Sequence, residues 1–321
     1  MKKFLCVLLA LCSVFAFSCS KKGGASSSRL RFVTGGESGT YYAFGSVLAQ
    51  HATNNTSVNV ISQVGAGSQG NVNKLQDREA ELGFCQSDVA SYAYNGTNLF
   101  EKTGKVGNFS VLGSLYDEQI QIITTNPRIR SVSDLKGKKV SIGSSGSGVY
   151  FNALDVLGEY GLSEYDIVAT YQSFGDSAND IRDGKIDAAF IVAGAPTTAV
   201  VDLNASKKVY LVGLEDNHVR NLIKNHPFYK RNVISKSVYG TDEDVVTLSV
   251  SALILVRDDV SEDAAYQLTK DIFENPAALV NLHAKYGELS LDSATGIKGI
   301  PYHKGSAKYY GEKGIDVEVK E

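Results

Sequence analysis

Three turns rich in glycine and hydroxyl groups hold the residues of this chain best suited to grip a small anion. Gly143-Ser144-Ser145-Gly146-Ser147-Gly148 closes a β-type run and opens a helical one. Glycines there allow close backbone approach, and the free amides of a first helical turn attract a carboxylate or phosphate. The turn is not a Walker loop, because no Lys-Ser/Thr follows its last glycine, and it lacks the GxGxxG spacing. Gly35-Gly36-Glu37-Ser38-Gly39-Thr40 has a similar make-up and position, and Gly65-Ala66-Gly67-Ser68-Gln69-Gly70-Asn71 is the third such turn. The ligand candidates on these turns are Ser38, Gly39, Thr40, Ser68, Asn71, Ser145, Ser147, Gly148 and Val149. Ser68 reads equally as a helix cap, and Ser87-Asp88 reads as the cap of a further helix.

Aromatic residues accompany the turns. Tyr41 and Tyr42 start a helix directly beneath the first, and Tyr150 repeats the placement beneath another. Neighbouring aromatics at a helix start cannot both face inward, so one of Tyr41 and Tyr42 is expected at the site. Tyr116, after the run 109–115, is a fourth aromatic candidate. The segment 66–70 also has the A-x-S-x-G form of a hydrolase nucleophile elbow, with His283 and His303 downstream. Acyl transfer would require one of those histidines to meet Ser68 with an acid behind it. His218 and His226 stand eight apart without neighbouring ligands, so no metal motif is present, and no cofactor is expected.

The start of the chain carries an address. Met1-Lys2-Lys3, an apolar run from Phe4 to Phe17 and then Ser18-Cys19 follow the layout of a secretory leader, here residues 1–18. Cys19 in that position looks like the lipidated cysteine of a bacterial lipoprotein, and residues 19–28 fit a flexible tether. That predicts a periplasmic protein anchored by lipid to a bacterial membrane. Cys6 and Cys12 fall in the leader, which leaves Cys85 without a disulfide partner, and its apolar surroundings make it a small core residue. A net charge of −3 and a pI near 6.0, with no basic block, give no footprint for nucleic acid.

Something must aim the turns. Short β-type runs alternate with helical patterns, beginning with the strand 30–34 and a helix presenting Phe44, Val47, Leu48 and His51 on one face. This is the signature of mainly parallel sheets covered by helices. The plan then repeats. Ser38-Gly39-Thr40-Tyr41-Tyr42 aligns with Ser147-Gly148-Val149-Tyr150-Phe151, and the same offset carries Val47-Leu48 onto Val156-Leu157. Asn73, Leu75, Asp77 and Phe84 align in order with Asn179, Ile181, Asp183 and Phe190. Two similar α/β lobes are therefore expected, with a cleft beyond the carboxyl ends of their strands. Residues 29–122 and 248–321 are assigned to lobe 1, and 123–247 to lobe 2. The chain crosses through 119–125 and returns through 246–256, and such a pair of crossings can act as a hinge.

Taken in order, TGGESGTYYAFGSVLA, GAGSQGNVNKLQDREAELGFCQSDVA, GSSGSGVYFNALDVL, DGKIDAAFIVAGAPTTAV and IPYHKGSAKYYGEKG make the chain resemble a known family. It is similar to the TAXI-type solute-binding proteins of tripartite ATP-independent periplasmic (TRAP) transporters, from about Leu30 to Gly314. The resemblance implies a two-lobed periplasmic-binding-protein fold, class II-like, and no catalysis. It implies a partner permease with large and small membrane subunits, and a ligand such as glutamate or 2-oxoglutarate. It carries Thr40, Tyr41, Ser68, Asn71, Ser145 and Ser147 into the binding set, with Pro196 on the second-lobe turn Gly194-Ala195-Pro196. Glu37 departs from the small or apolar residue that many members have there, and an acid at that point disfavours a dianion. A surface or sensory lipoprotein using the same fold without transport, and more distantly a serine hydrolase, are the alternatives.

Overall fold

Lobe 1 begins as the alternation of strand and helix dictates. In a computed structural model, which describes residues 29–274 and 276–320, strands β1 (Arg29–Val33), β2 (Asn59–Gln63) and β3 (Leu82–Gln86) lie side by side in parallel. The leader, the tether and the Cys19 lipidation site lie outside the described residues. Helices α1 (Thr40–Asn55), α2 (Ser68–Gln76) and α3 (Ser87–Asn95) follow the strands in turn. Tyr41, Phe44, Leu48 and Ala52 fall on one stripe of α1 and are buried, which docks the helix on the sheet. Cys85 is buried in the same lobe and forms no disulfide.

The crossing is longer and more regular than the sequence suggests. The polar run Tyr116-Asp117-Glu118-Gln119 does not end a strand. It is the middle of β4 (Phe109–Thr124), which passes unbroken from one lobe to the other. Lobe 2 then follows with β5 (Lys139–Ser141), α4 (Val149–Glu159), β6 (Val168–Thr170), α5 (Phe174–Arg182), β7 (Ala188–Ala193) and α6 (Thr198–Ser206). After these come β8 (Tyr210–Val212), α7 (Asp216–Asn225), β9 (Lys230–Ile234) and the short α8 (Lys236–Tyr239). The return strand β10 (Val245–Arg257) also spans both lobes. Helices α9 (Glu262–Glu274), α10 (Pro276–Leu279), α11 (Leu291–Ala294) and α12 (Lys304–Glu312) complete lobe 1.

The ten strands form one hydrogen-bonded path, β2-β1-β3-β10-β4-β7-β5-β6, with β8 on β4 and β9 on β10. Each lobe holds a parallel set of strands as expected, and the sheet taken whole is mixed. β1, β2 and β3 are parallel, as are β5, β6 and β7, but β4 and β10 pair antiparallel with their neighbours. A strand that returns from the opposite lobe enters from the opposite end, which forces that direction. The hydrophobic cores change hands along these two strands. Leu112, Leu115 and Tyr116 pack in lobe 1, and Ile120 and Ile122 in lobe 2. On β10, Ala252, Ile254 and Val256 belong to the first core and Leu248 and Val250 to the second. Between the two cores lies a belt of buried polar side chains, Glu118, Gln119, Ser249 and Ser251.

Candidate functional site

A cavity of about 570 Å³ lies between the lobes at the carboxyl ends of the parallel strands. Lobe 1 lines it with residues 35–41 and 64–68, together with Gln86 and Glu118. Lobe 2 contributes Ser144, Ser147, Gly148 and Val149, the start of α5 and the end of β7. Its size falls within the range typical of small-molecule sites.

Of the sequence-derived candidates, Ser38, Gly39, Thr40, Tyr41, Ser68, Ser147, Gly148 and Val149 line this space. Tyr41 is the inward member of its pair, while Tyr42 is half-buried and off the lining. Asn71, Tyr116, Ser145 and Pro196 are not on the lining. Asn71 is consumed locally, its Nδ2 donating to the carbonyls of Thr34 at 2.6 Å and Phe84 at 2.9 Å. Tyr116 is buried in the lobe 1 core against Phe44, and Ser145 and Pro196 are exposed. Ser68 does not cap α2. Its hydroxyl accepts from the Gln86 amide at 3.0 Å and ties the helix start to β3. The expected Ser87-Asp88 cap is not formed either, because α3 starts one residue earlier than read. Ser87 Oγ instead accepts from the Ser251 amide, and Asp88 turns toward the other lobe.

The elbow-like segment is not assembled for acyl transfer. His283 Nδ1 accepts from the Lys285 amide, and His303 is bonded to Gly305 and Val260. Neither histidine is paired with Ser68.

The lobes are in contact around the cavity. Thr40 Oγ1 donates to the Gly194 carbonyl at 2.8 Å, the Gly70 amide to the Gly146 carbonyl at 2.9 Å, and the Ala199 amide to the Ser38 carbonyl at 3.2 Å. Beneath these runs a buried side-chain chain. Gln86 Nε2 donates to Asn152 Oδ1 at 3.0 Å, and Asn152 Nδ2 contacts Asp88 Oδ2 at 2.8 Å and Tyr229 Oη at 2.9 Å. Tyr229 in turn donates to Asp155 Oδ2 at 2.8 Å. Glycine is required where the lobes meet. At Gly148 an added Cβ would sit 1.4 Å from Gln86 Oε1, and Gly67, at φ +100°, would place one 3.0 Å from the Ser147 Cα.

Ser147 and Gln86 line the cavity, and their Oγ and Oε1 atoms are buried against Gly143 and Gly148 without a hydrogen-bond partner among the described residues. Unpaired buried polar atoms are costly, so both mark places where the contact between the lobes carries a polar penalty. The third feature is Glu118, only 2% exposed, whose Oε2 accepts from Tyr41 Oη at 2.7 Å. The Tyr41 ring is held by stacking on Phe84 at 4.4 Å, which fixes the direction of that donor. Burial pushes the Glu118 carboxyl up to about 8, opposed by the Tyr41 hydrogen bond and by Lys285, and assisted by Asp88 and Asp117. Burial likewise raises Asp88 to about 7, against the pull of its hydrogen bonds with Asn152 and the Val89 amide. Gln86, Glu118 and Asn152 escaped the sequence reading, which took Asp88 only for part of a helix cap. Each works through partners far along the chain, and only the alternation of β4, once recognised, signals Glu118.

A stability test follows from the two acids. Both are raised above their ordinary values of 3.8 and 4.5, so the folded chain holds these protons more tightly than the unfolded one. Their stabilising contribution is full below those ordinary values and is lost as pH rises through about 7 and about 8. The melting temperature of the solute-free protein should therefore fall by several degrees from roughly pH 5 to pH 9. Asp88→Asn and Glu118→Gln should each flatten that slope. An unchanged slope in both variants would show that neither acid holds its proton in the fold.

Comparison with known proteins agrees with this geometry. Residues 32–314 match the sequence model of the NMT1-like family. Among solved structures, the alkanesulfonate-binding protein SsuA from Xanthomonas axonopodis pv. citri bound to MOPS is similar at a TM-score of 0.50. It is 15% identical, and the match covers 90% of this chain and 92% of that one. PhnD1 from Prochlorococcus marinus in complex with methylphosphonate gives a TM-score of 0.51 at 11% identity, covering 77% and 84%. A putative L-cystine ABC transporter protein from Listeria monocytogenes gives 0.50 at 15%, covering 83% and 98%. At such identities the likeness is one of fold: two α/β lobes in the periplasmic-binding-protein arrangement, on a mixed sheet flanked by helices.

Proposed function

The chain belongs to the NMT1-like family, and from that premise we propose that it is an extracytoplasmic solute receptor whose lobes close over a small carboxylate-bearing metabolite. The observation that carries this reading is one cavity of about 570 Å³ lined from both lobes by the glycine- and hydroxyl-bearing turns, with Ser68 and Gln86 on one side and Ser147 and Gly148 on the other. A solute that touches both walls bridges the lobes and favours their closed arrangement. The first amides of α4, beside Ser147 and Gly148, suit a carboxylate. The continuous strands β4 and β10 are the hinge in this reading, with residues 29–122 and 248–321 moving against 123–247.

The finer reading makes the chain the receptor of a TRAP transporter. It is anchored in the periplasm through Cys19 and passes a glutamate-like solute to a permease of large and small membrane subunits. The motifs shared with TAXI-type proteins support it, as does a cavity of suitable volume.

A thermal-shift screen of the exported, purified protein against amino acids, small organic acids, alkanesulfonates, phosphonates and sugars tests the proposal. A solute at one hundred times its dissociation constant adds about 2.7 kcal/mol of stability, which raises the midpoint by several degrees. A rise confined to carboxylate-bearing compounds is the expected result. A rise with sugars alone, or with none of these after a retained solute has been stripped by partial unfolding and dialysis, would refute it.

A further inference from the structure

We infer that Glu118 selects the solute, and that it selects for a cationic nitrogen: an ammonium-bearing acid binds in preference to the matching 2-oxo acid. The inference deepens the receptor reading above and rests on it.

Among the described residues the cavity wall carries three carboxylates, Glu37, Glu118 and Asp176, and no lysine, arginine or histidine. A dianion would meet no cationic side chain there. Lys285 is the nearby candidate for a counter-charge, but it is off the lining and its Nζ is engaged by Glu288 Oε1 at 2.5 Å. Glu118 differs from the other two acids, which sit at the start of α5 and in an exposed turn. It stands in the polar belt between the two cores, on the strand that joins the lobes. Its Oε2 is taken by Tyr41, and its Oε1 accepts no hydrogen bond among the described residues. One oxygen is thus oriented by a clamped tyrosine, and the other is free at the floor of a solute cavity. A buried carboxylate of this kind is stabilised by a cation that arrives with the solute, and an ammonium group satisfies the free oxygen by a charge-assisted hydrogen bond. A solute carboxylate can then lie toward Ser147 and the start of α4, which gives the two ends of a zwitterion complementary surroundings.

The competing arrangement keeps Glu118 protonated, with its own hydroxyl donating to a solute oxygen. The two make opposite demands on the proton. The titratable groups that act on or feel Glu118 are Tyr41 from α1, Cys85 from β3, Asp88 from α3, Tyr116 and Asp117 from its own strand, and Lys285. With the acid largely protonated at neutral pH in the solute-free protein, an incoming ammonium expels that proton. A solute oxygen keeps it in place.

Isothermal titration calorimetry of the purified protein with three matched pairs makes the test: L-glutamate with 2-oxoglutarate, L-alanine with pyruvate, and L-leucine with 4-methyl-2-oxopentanoate. Titrations at neutral pH in two buffers of different ionisation enthalpy measure protons released. At least one amino acid is expected to bind at least tenfold more tightly than its oxo partner and to release a proton. Glu118→Gln should bring that ratio below threefold and abolish the release. An oxo acid that binds as tightly as its amine, or amine binding without proton release, overturns the inference and leaves the receptor reading standing. The wild-type proton count decides the matter if Glu118→Gln does not fold. If no member of any pair binds, the carboxylate-receptor reading fails and this inference fails with it.

Discussion

Replacing Gly148 with alanine is expected to weaken solute binding by roughly ten- to a hundredfold while leaving each lobe folded. The added methyl meets nothing in lobe 2 that forbids it, because Gly148 has ordinary helical dihedral angles. The obstacle lies across the cleft, where the new Cβ would stand 1.4 Å from Gln86 Oε1 and 3.0 Å from Val89 Cγ2. Gln86 has little freedom to retreat, since it is 2% exposed and its Nε2 is bonded to Asn152. Overpacking of this kind costs about 1–3 kcal/mol, and here the cost falls on closure rather than on folding. Calorimetry should show the lost affinity, and circular dichroism melting of the solute-free protein should stay within a few degrees of wild type. Wild-type affinity in Gly148→Ala would mean that the contact between Gln86 and Gly148 is not part of the bound state.

Asn152→Leu should be the most destabilising conservative-volume change in the interface. Asn152 is fully buried and sits at the node of the inter-lobe chain, contacting Gln86, Asp88 and Tyr229 at once. Leucine occupies the space but satisfies none of the three. Each buried group left unpaired costs about 1–3 kcal/mol, and the Asp88 carboxyl belongs at the upper end of that range. A loss of roughly 3–5 kcal/mol in urea unfolding is therefore expected at neutral pH. The loss should shrink under acidic conditions, where Asp88 is protonated and more cheaply buried. A variant within about 1 kcal/mol of wild type would show that the chain of side chains is dispensable to the fold.

The repeat was legible in the sequence because its parts are local. The turns at Ser38–Tyr42 and Ser147–Phe151 announce a strand end, a tight bend and a helix start within a few residues, and most of their members line the cavity. Asn71 shows where such reading stops. Its position on a ligand-like turn was plain, but its amide is spent on Thr34 and Phe84, which only the packing of α2 against the sheet brings close. The run 116–119 misled for a different reason. Polar residues on successive positions signal a loop when one face of a strand is expected in a core, yet Glu118 and Gln119 are buried between two cores, where Tyr41 and the Ala195 amide donate to them. The buried acid on the cavity wall was therefore concealed in what reads as a connection.

The position of β10 in the sheet orders events as the chain emerges. It lies between β3 and β4, so the last strand made inserts into the middle of lobe 1. Lobe 2 is drawn almost wholly from one continuous stretch and needs no such wait. Until residue 257 has appeared, β3 and β4 each present an open edge to whatever is nearby. With that order of assembly the middle of lobe 1 stays open until about four-fifths of the chain has been made, so the lobe that begins the sequence is the later of the two to close.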